Sequence, residues 1–202
     1  MAYELLSKYK IDTAPSILCK DEKSASKYAK KFGYPVVLKI ISDKIVHKTE
    51  VGAVKAGIEG EGELLHAFRA MRGKFPSESA GGILLQKMIR GIELIVGGKS
   101  DEQFGQLLIF GLGGIYVEYL KDVSARVCPV SREEAQKMIK EIKTYSILRG
   151  VRTGRPVNEK AIIDVIVKTS SLLLKENPRE LDFNPLIANK EGAYVVDARV
   201  IR

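Results

Sequence analysis

Apolar and polar positions follow two rhythms along this chain, a three-to-four residue spacing and runs read as strands. Residues 3–9 carry Leu5, Leu6 and Tyr9 and start a short helix. Residues 15–19 read as a short strand. Residues 21–32 set Ala25, Tyr28, Ala29 and Phe32 on one helical face. Asp21 stands where an N-cap belongs and Gly33 where a helix stops. Residues 36–41 form an apolar run broken only by Lys39, the mark of a buried strand. A polar stretch over 42–50 precedes a further strand at 51–58 and a helix at 61–71. Residues 72–82 read as a loop and as the boundary between two lobes. Three strand-like runs follow at 83–88, 92–97 and 107–110, in the pattern of an antiparallel meander. Two short strands are expected within 115–130. Ser131 with Glu134 makes a capping box for a helix that turns Ala135, Met138, Ile139 and Ile142 inward. Asn158 caps the next helix, and strands near 181–188 and 194–201 close the chain. The pattern is α+β (α/β) in two lobes, residues 1–82 and residues 83–202.

Composition narrows the field. A chain of 202 residues supports a core that buries about 70% of the unfolded surface. With 45% apolar and 29% charged residues it has the balance of a globular protein. No apolar run reaches the length of a membrane span, and the first residues lack the apolar centre of a secretory signal. The two cysteines, Cys19 and Cys128, are far apart, which excludes a disulfide scaffold and points to a reducing, cytoplasmic setting. The net charge of +8 favours anionic partners. Without tryptophan or basic runs interleaved with aromatics, a nucleic-acid platform gains no support.

The familiar nucleotide fingerprints fail on spacing. Gly97-Gly98-Lys99-Ser100 ends like a phosphate-binding loop, but the position that needs its first glycine is Glu93. Gly111-Leu112-Gly113-Gly114 resembles a dinucleotide fingerprint whose last glycine would fall at Tyr116. Glycines directly after an apolar strand still let backbone N–H groups approach an anion, although a tight turn uses them equally well. Lys39 needs a partner, a ligand or a solvated face. The loop after it holds His47 between Lys44 and Lys48, and an imidazole there either lies idle at the surface or passes a proton or phosphoryl group. His66, on a helix, reads as a surface residue. Near the C-terminus, Glu180, Asp182 and Asn184 share one strand face, with Asp197 on the next strand. Carboxylate and amide oxygens on paired strands suit Mg²⁺, although an edge hairpin with polar decoration has the same look.

Six segments occur together in one order: GYPVVLK at 33–39, IVHKTEVG at 45–52, GIELIVG at 91–97, QFG at 103–105, FGLGGIYVE at 110–118, and ELDFNPL at 180–186 with DAR at 197–199. Over nearly its whole length the chain resembles the β subunits of archaeal ADP-forming acetyl-CoA (acyl-CoA) synthetases, ATP-grasp domains related to the succinyl-CoA synthetase β subunit. The resemblance implies an ATP-grasp fold with ATP or ADP bound between the two lobes. It implies that Lys39 contacts the nucleotide phosphates and that Lys48 belongs to the same nucleotide-binding set. Gln86, Lys87 and Met88 would line the hinge beside adenine, and Glu93 would hold the nucleotide. Asn184 and Asp197 would ligate Mg²⁺, with His47 a phosphoryl relay and Asp182 steadying a phosphohistidine. Gly113 and Gly114 would face the partner. The implied partner is a CoA-binding α subunit in an α₂β₂ assembly, which would interconvert acyl-CoA, ADP and phosphate with carboxylic acid, ATP and CoA. The alternatives are a stand-alone ATP-grasp carboxylate ligase that uses an acyl-phosphate, and a non-enzymatic nucleotide-binding subunit. Two departures stand out: Ala53 occupies the place of a usual second glycine after Gly52, and residues 72–82 are shorter than usual.

Overall fold

A computed structural model describes residues 2–42, 45, 51–114, 122–151, 154 and 156–202. The chain divides into two compact units. One is Ala14–Met88; the other joins Met1–Thr13 to Ile89–Arg202. The expected division at residue 82 thus gives way to one after Met88, and the first thirteen residues belong with the C-terminal part.

The Ala14–Met88 unit is a four-stranded antiparallel sheet backed by two helices. Its strands are β1 (Ser16–Cys19), β2 (Val36–Lys39), β3 (Val54–Ile58) and β4 (Ile83–Lys87), in the order β1-β4-β2-β3. Helix α2 (Glu22–Phe32) starts where the sequence places it. Asp21 accepts the Ser24 N–H at 2.7 Å, and the Ser24 hydroxyl accepts the Asp21 N–H at 3.3 Å. Gly33 ends it at φ 76°. Helix α3 (Glu61–Lys74) runs past its expected end, because Phe68 and Met71 seat its last turns in the core. Val36 and Leu38 of β2 and Ile83 and Leu85 of β4 pack with Ala25, Ala29, Leu64 and Phe68 of the helices. Each of the Val, Leu, Ile and Phe side chains among them contributes about 1.5–3 kcal/mol by leaving water. This packing also corrects the expected meander. Residues 83–87 pair with β1 and β2, not with the strand that follows them, because Ile83 and Leu85 complete the core of this unit. Ala53 is fully buried, and its carbonyl accepts the Ile40 N–H at 2.9 Å, so its methyl is accommodated where a glycine was expected.

The larger unit is a six-stranded sheet. Strands β5 (Ile92–Asp101), β6 (Gly105–Leu112), β7 (Val123–Val127), β8 (Glu180–Ala188) and β10 (Ala198–Ile201) lie in the order β10-β8-β5-β6-β7, and β9 (Ala193–Val195) pairs with β8. Strands β5 and β6 are longer than their apolar runs and meet at a turn over 102–104. Leu94, Val96, Leu108, Phe110, Phe183 and Leu186 turn to one face. There they pack on α4 (Arg132–Glu141) and, beyond the short α5 (Tyr145–Leu148), on α6 (Glu159–Glu176) through Met138, Ile139, Ile162 and Leu172. Asn158 caps α6 by accepting the Ala161 N–H at 3.1 Å. The capping box of α4 is half formed: Ser131 accepts the Glu134 N–H, but the Glu134 carboxylate bonds Arg126 and Lys137 instead. The N-terminal helix α1 (Ala2–Lys8) and the residues after it add Leu6 and Ile11 to this core. Among the described residues no helix is long and apolar enough to cross a membrane. Cys19 and Cys128 are both free and buried.

Candidate active site

The expected site residues fall into two groups, one in each unit. In the smaller unit the β2–β4 register sets Val37 opposite Gln86 and Lys39 opposite Leu84. These four therefore share the sheet face that does not carry α2 and α3. Lys39 is 9% exposed and Gln86 is fully buried, and neither is without a partner. A buried ammonium or amide is tolerated on those terms. Lys87 is the exposed last residue of β4. Met88 is the last residue of the unit, and its N–H donates to the Pro35 carbonyl at 3.2 Å. His47 and Lys48 lie outside the described residues.

In the larger unit three expected residues meet at the end of the β5–β6 ribbon. The Gly113 N–H donates to the Glu93 carbonyl at 2.7 Å, one step past the Leu94–Leu112 pair. A β-carbon on Gly113 would stand 2.9 Å from the Glu93 carbonyl carbon, and one on Gly114 would stand 3.1 Å from Glu93 Oε2. Gly114 also has φ 79°. Both glycines are needed for backbone to lie this close to the Glu93 backbone and carboxylate.

The hairpin residues form the second cluster. The β5–β8 register places Val96 opposite Phe183 but Leu94 opposite Leu186. Two residues of β8, Asn184 and Pro185, therefore oppose Ile95 alone, as in a β-bulge. Across from this bulge the outer ribbon is itself interrupted, between β9 and β10. Asp197 was expected on a strand; it lies in this interruption. The Asn184 N–H donates to the Asp197 carbonyl at 3.2 Å, and the Val196 N–H donates to the Pro185 carbonyl at 3.1 Å. Bulge and break thus coincide and bring Asn184 and Asp197 side by side. Asp182, two residues upstream, pairs with Arg199 on one side and with Gly97 on the other.

Electrostatics separate this cluster from a decorated edge. Loss of hydration raises the Asp182 pKa, the Asp197 charge raises it further, and Arg199 opposes both. Ionised Asp182 therefore works against the folded state, increasingly as pH rises from the ordinary carboxylate range through the raised value. A cation at the hairpin would reverse that. Two carboxylates and an amide oxygen are hard donors of the kind Mg²⁺ takes while keeping waters and phosphate oxygens. Among the described residues no three His, Cys, Asp or Glu side chains form a metal cage by themselves. The donor set fits a metal that shares its shell with a ligand.

Asp122 carries no sequence signal, yet it fixes the chain shortly after Gly114. Its buried carboxylate accepts the backbone N–H of Lys143 at 2.7 Å, that of Thr144 at 2.8 Å, and the Thr144 hydroxyl. Burial pushes its pKa up, but these hydrogen bonds together outweigh it, so the net shift is downward. Such a group stabilises the fold above the ordinary carboxylate pKa and loses that effect as pH falls through its depressed value. Asp122→Ala is expected to cost about 2 kcal/mol between pH 5 and 8. The difference from wild type should begin to shrink below about pH 4 and disappear only as pH falls through the depressed value. Urea midpoints measured across pH test this, and a difference that grew on acidification would contradict it.

The residues that match the ATP-grasp domain are 1–201, and the chain belongs to the ATP-grasp family. It is 43% identical to the β subunit of acetate–CoA ligase [ADP-forming] I of Pyrococcus furiosus, over 99% of this chain and 89% of that subunit. It is also 43% identical to acetate–CoA ligase [ADP-forming] I of Archaeoglobus fulgidus, where it covers 98% of itself but spans only 30% of that longer chain. An acetyl-coenzyme A synthetase 1 of Ca. Korarchaeum cryptofilum, solved with coenzyme A, Ca-AMPCP and HgCl⁺, superposes with a TM-score of 0.90 at 41% identity, over 99% of this chain and 90% of that one. Within its family the chain groups with the β subunits of ADP-forming acetate–CoA ligases.

Proposed function

We propose that the chain is the nucleotide-binding β subunit of an ADP-forming acyl-CoA ligase. It would interconvert acyl-CoA, ADP and phosphate with carboxylic acid, ATP and CoA. The observation that carries this reading is the 43% identity maintained across 89% of a β subunit with that activity in its name. The coincident bulge and break at Asn184 and Asp197 support it, because they juxtapose hard oxygen donors beside Asp182.

Phosphoryl transfer asks for in-line placement and neutralised charge more than for covalent assistance. Lys39 and Lys48 are assigned to the nucleotide phosphates. Gln86, Lys87 and Met88 are assigned to the adenine side, and Glu93 to holding the nucleotide. Asn184 and Asp197 would hold Mg²⁺, which when bound neutralises phosphate oxygens. Gly113 and Gly114 keep the loop backbone close to Glu93, where their segment can face an incoming phosphohistidine. Asp182 would orient that histidine ring. His47 would take the phosphoryl group on a ring nitrogen and pass it on. The CoA-binding partner is an α subunit, in an α₂β₂ assembly.

The test is reconstitution. The purified chain alone should form no acyl-CoA from ATP, CoA and acetate, and adding a CoA-binding α subunit should start turnover. Acid-labile, base-stable label from γ-labelled ATP should appear on this chain and be absent in His47→Ala. Acyl-CoA formed by the chain unaided would instead favour a stand-alone carboxylate ligase. No turnover or label under any combination would favour a non-enzymatic nucleotide-binding subunit.

A further inference from the structure

The residues that set Asp197 in place come partly from the other end of the sequence. At the break between β9 and β10, the Val196 N–H is committed to Pro185 of β8. The Val196 carbonyl, which belongs to the peptide leading into Asp197, accepts the Tyr3 hydroxyl at 3.0 Å. One residue earlier, the Val195 N–H donates to the Asp12 carbonyl at 2.9 Å, and Thr13 bridges Val195 in parallel. The segment carrying Tyr3 is itself anchored. Leu6 and Ile11 are buried in the core, and the Lys8 ammonium and Tyr9 hydroxyl both donate to Glu176 Oε1 at 2.6 and 2.8 Å. Chain outside a regular ladder depends on such contacts for its peptide orientation. Here the hydroxyl holds one side of the peptide while β8 holds residues on the other.

We infer that Tyr3 is a positioning residue for Asp197: its hydroxyl holds the 196–197 peptide so that the carboxylate stands beside Asn184 in cation-binding geometry. The inference rests on the reading that Asn184 and Asp197 hold a divalent cation. Tyr3 touches neither cation nor nucleotide in this scheme.

Calorimetric titration of the full chain with ADP, in Mg²⁺ and separately in EDTA, tests it. Tyr3→Phe keeps the ring and removes one hydrogen bond. It should weaken ADP binding in Mg²⁺ about fivefold and leave binding in EDTA unchanged. The positioning role is overturned if Tyr3→Phe binds as wild type in Mg²⁺ or if it loses affinity equally in both conditions. Asp197→Asn separates this failure from failure of the cation reading. If Asp197→Asn loses the Mg²⁺ enhancement while Tyr3→Phe retains it, the cation site stands and Tyr3 has no part in it. If Mg²⁺ gives the wild type no enhancement, both ideas fall.

Discussion

Asp197→Asn is expected to leave the chain folded and to weaken Mg²⁺-dependent ADP binding about 100-fold. The substitution keeps an oxygen in the place of Asp197 Oδ1, which accepts the Ala198 N–H at 3.2 Å, so the start of β10 retains its contact. What it removes is one of the two carboxylate charges, those of Asp182 and Asp197, that flank Asn184. A second, independent readout follows from the same change. The Asp197 charge is one of the causes that hold the Asp182 pKa up. In Asp197→Asn the Asp182 carboxyl should therefore titrate lower, which carboxyl chemical shifts followed by NMR would show. Unchanged Mg²⁺ dependence together with an unmoved Asp182 would mean that the two side chains are not electrostatic neighbours and that the hairpin binds no cation.

Phe183→Ala is expected to destabilise the protein by about 3–5 kcal/mol, a large share of the 5–15 kcal/mol that holds a typical domain. Phe183 is fully buried between Asp182 and Asn184, which point to the opposite face of the sheet. It faces Val96 on one side and Ala198 on the other in the strand register. Its ring is thus the anchor that lets the neighbouring donors face outward. Denaturant melts should show the loss, and Phe183→Leu should recover most of it. A cost below about 1 kcal/mol for the alanine variant would mean that the core closes over the gap and that the strand is held by its ladder.

Local features were legible in the sequence because their causes are local. Asp21 and Gly33 bracket α2, Asn158 opens α6, and the alternation through Asp182 and Asn184 gives the outward face of β8. Sheet membership was not. Residues 83–87 read as the first strand of a meander, yet they complete a different sheet, because strand pairing depends on which distant apolar face needs covering. The same holds for the bulge at Asn184, which appears only in the register against β5. Asp122 was invisible because its donors are backbone N–H groups twenty-one and twenty-two residues away. The six ordered segments carried the family; the pairing of Asn184 with Asp197 required coordinates.

Placing residues 2–13 beside β9 and β10 has a consequence for biosynthesis. Residues 14–88 find all their core partners within 75 consecutive positions of one another, so that portion can mature as soon as it clears the ribosome. Leu6 and Ile11, translated earlier, must wait for partners made more than eighty residues later. Residues 2–13 are therefore made before residues 14–88 but dock after them, and nascent chains arrested before the final hairpin should expose residues 2–13 to added protease while residues 14–88 already resist.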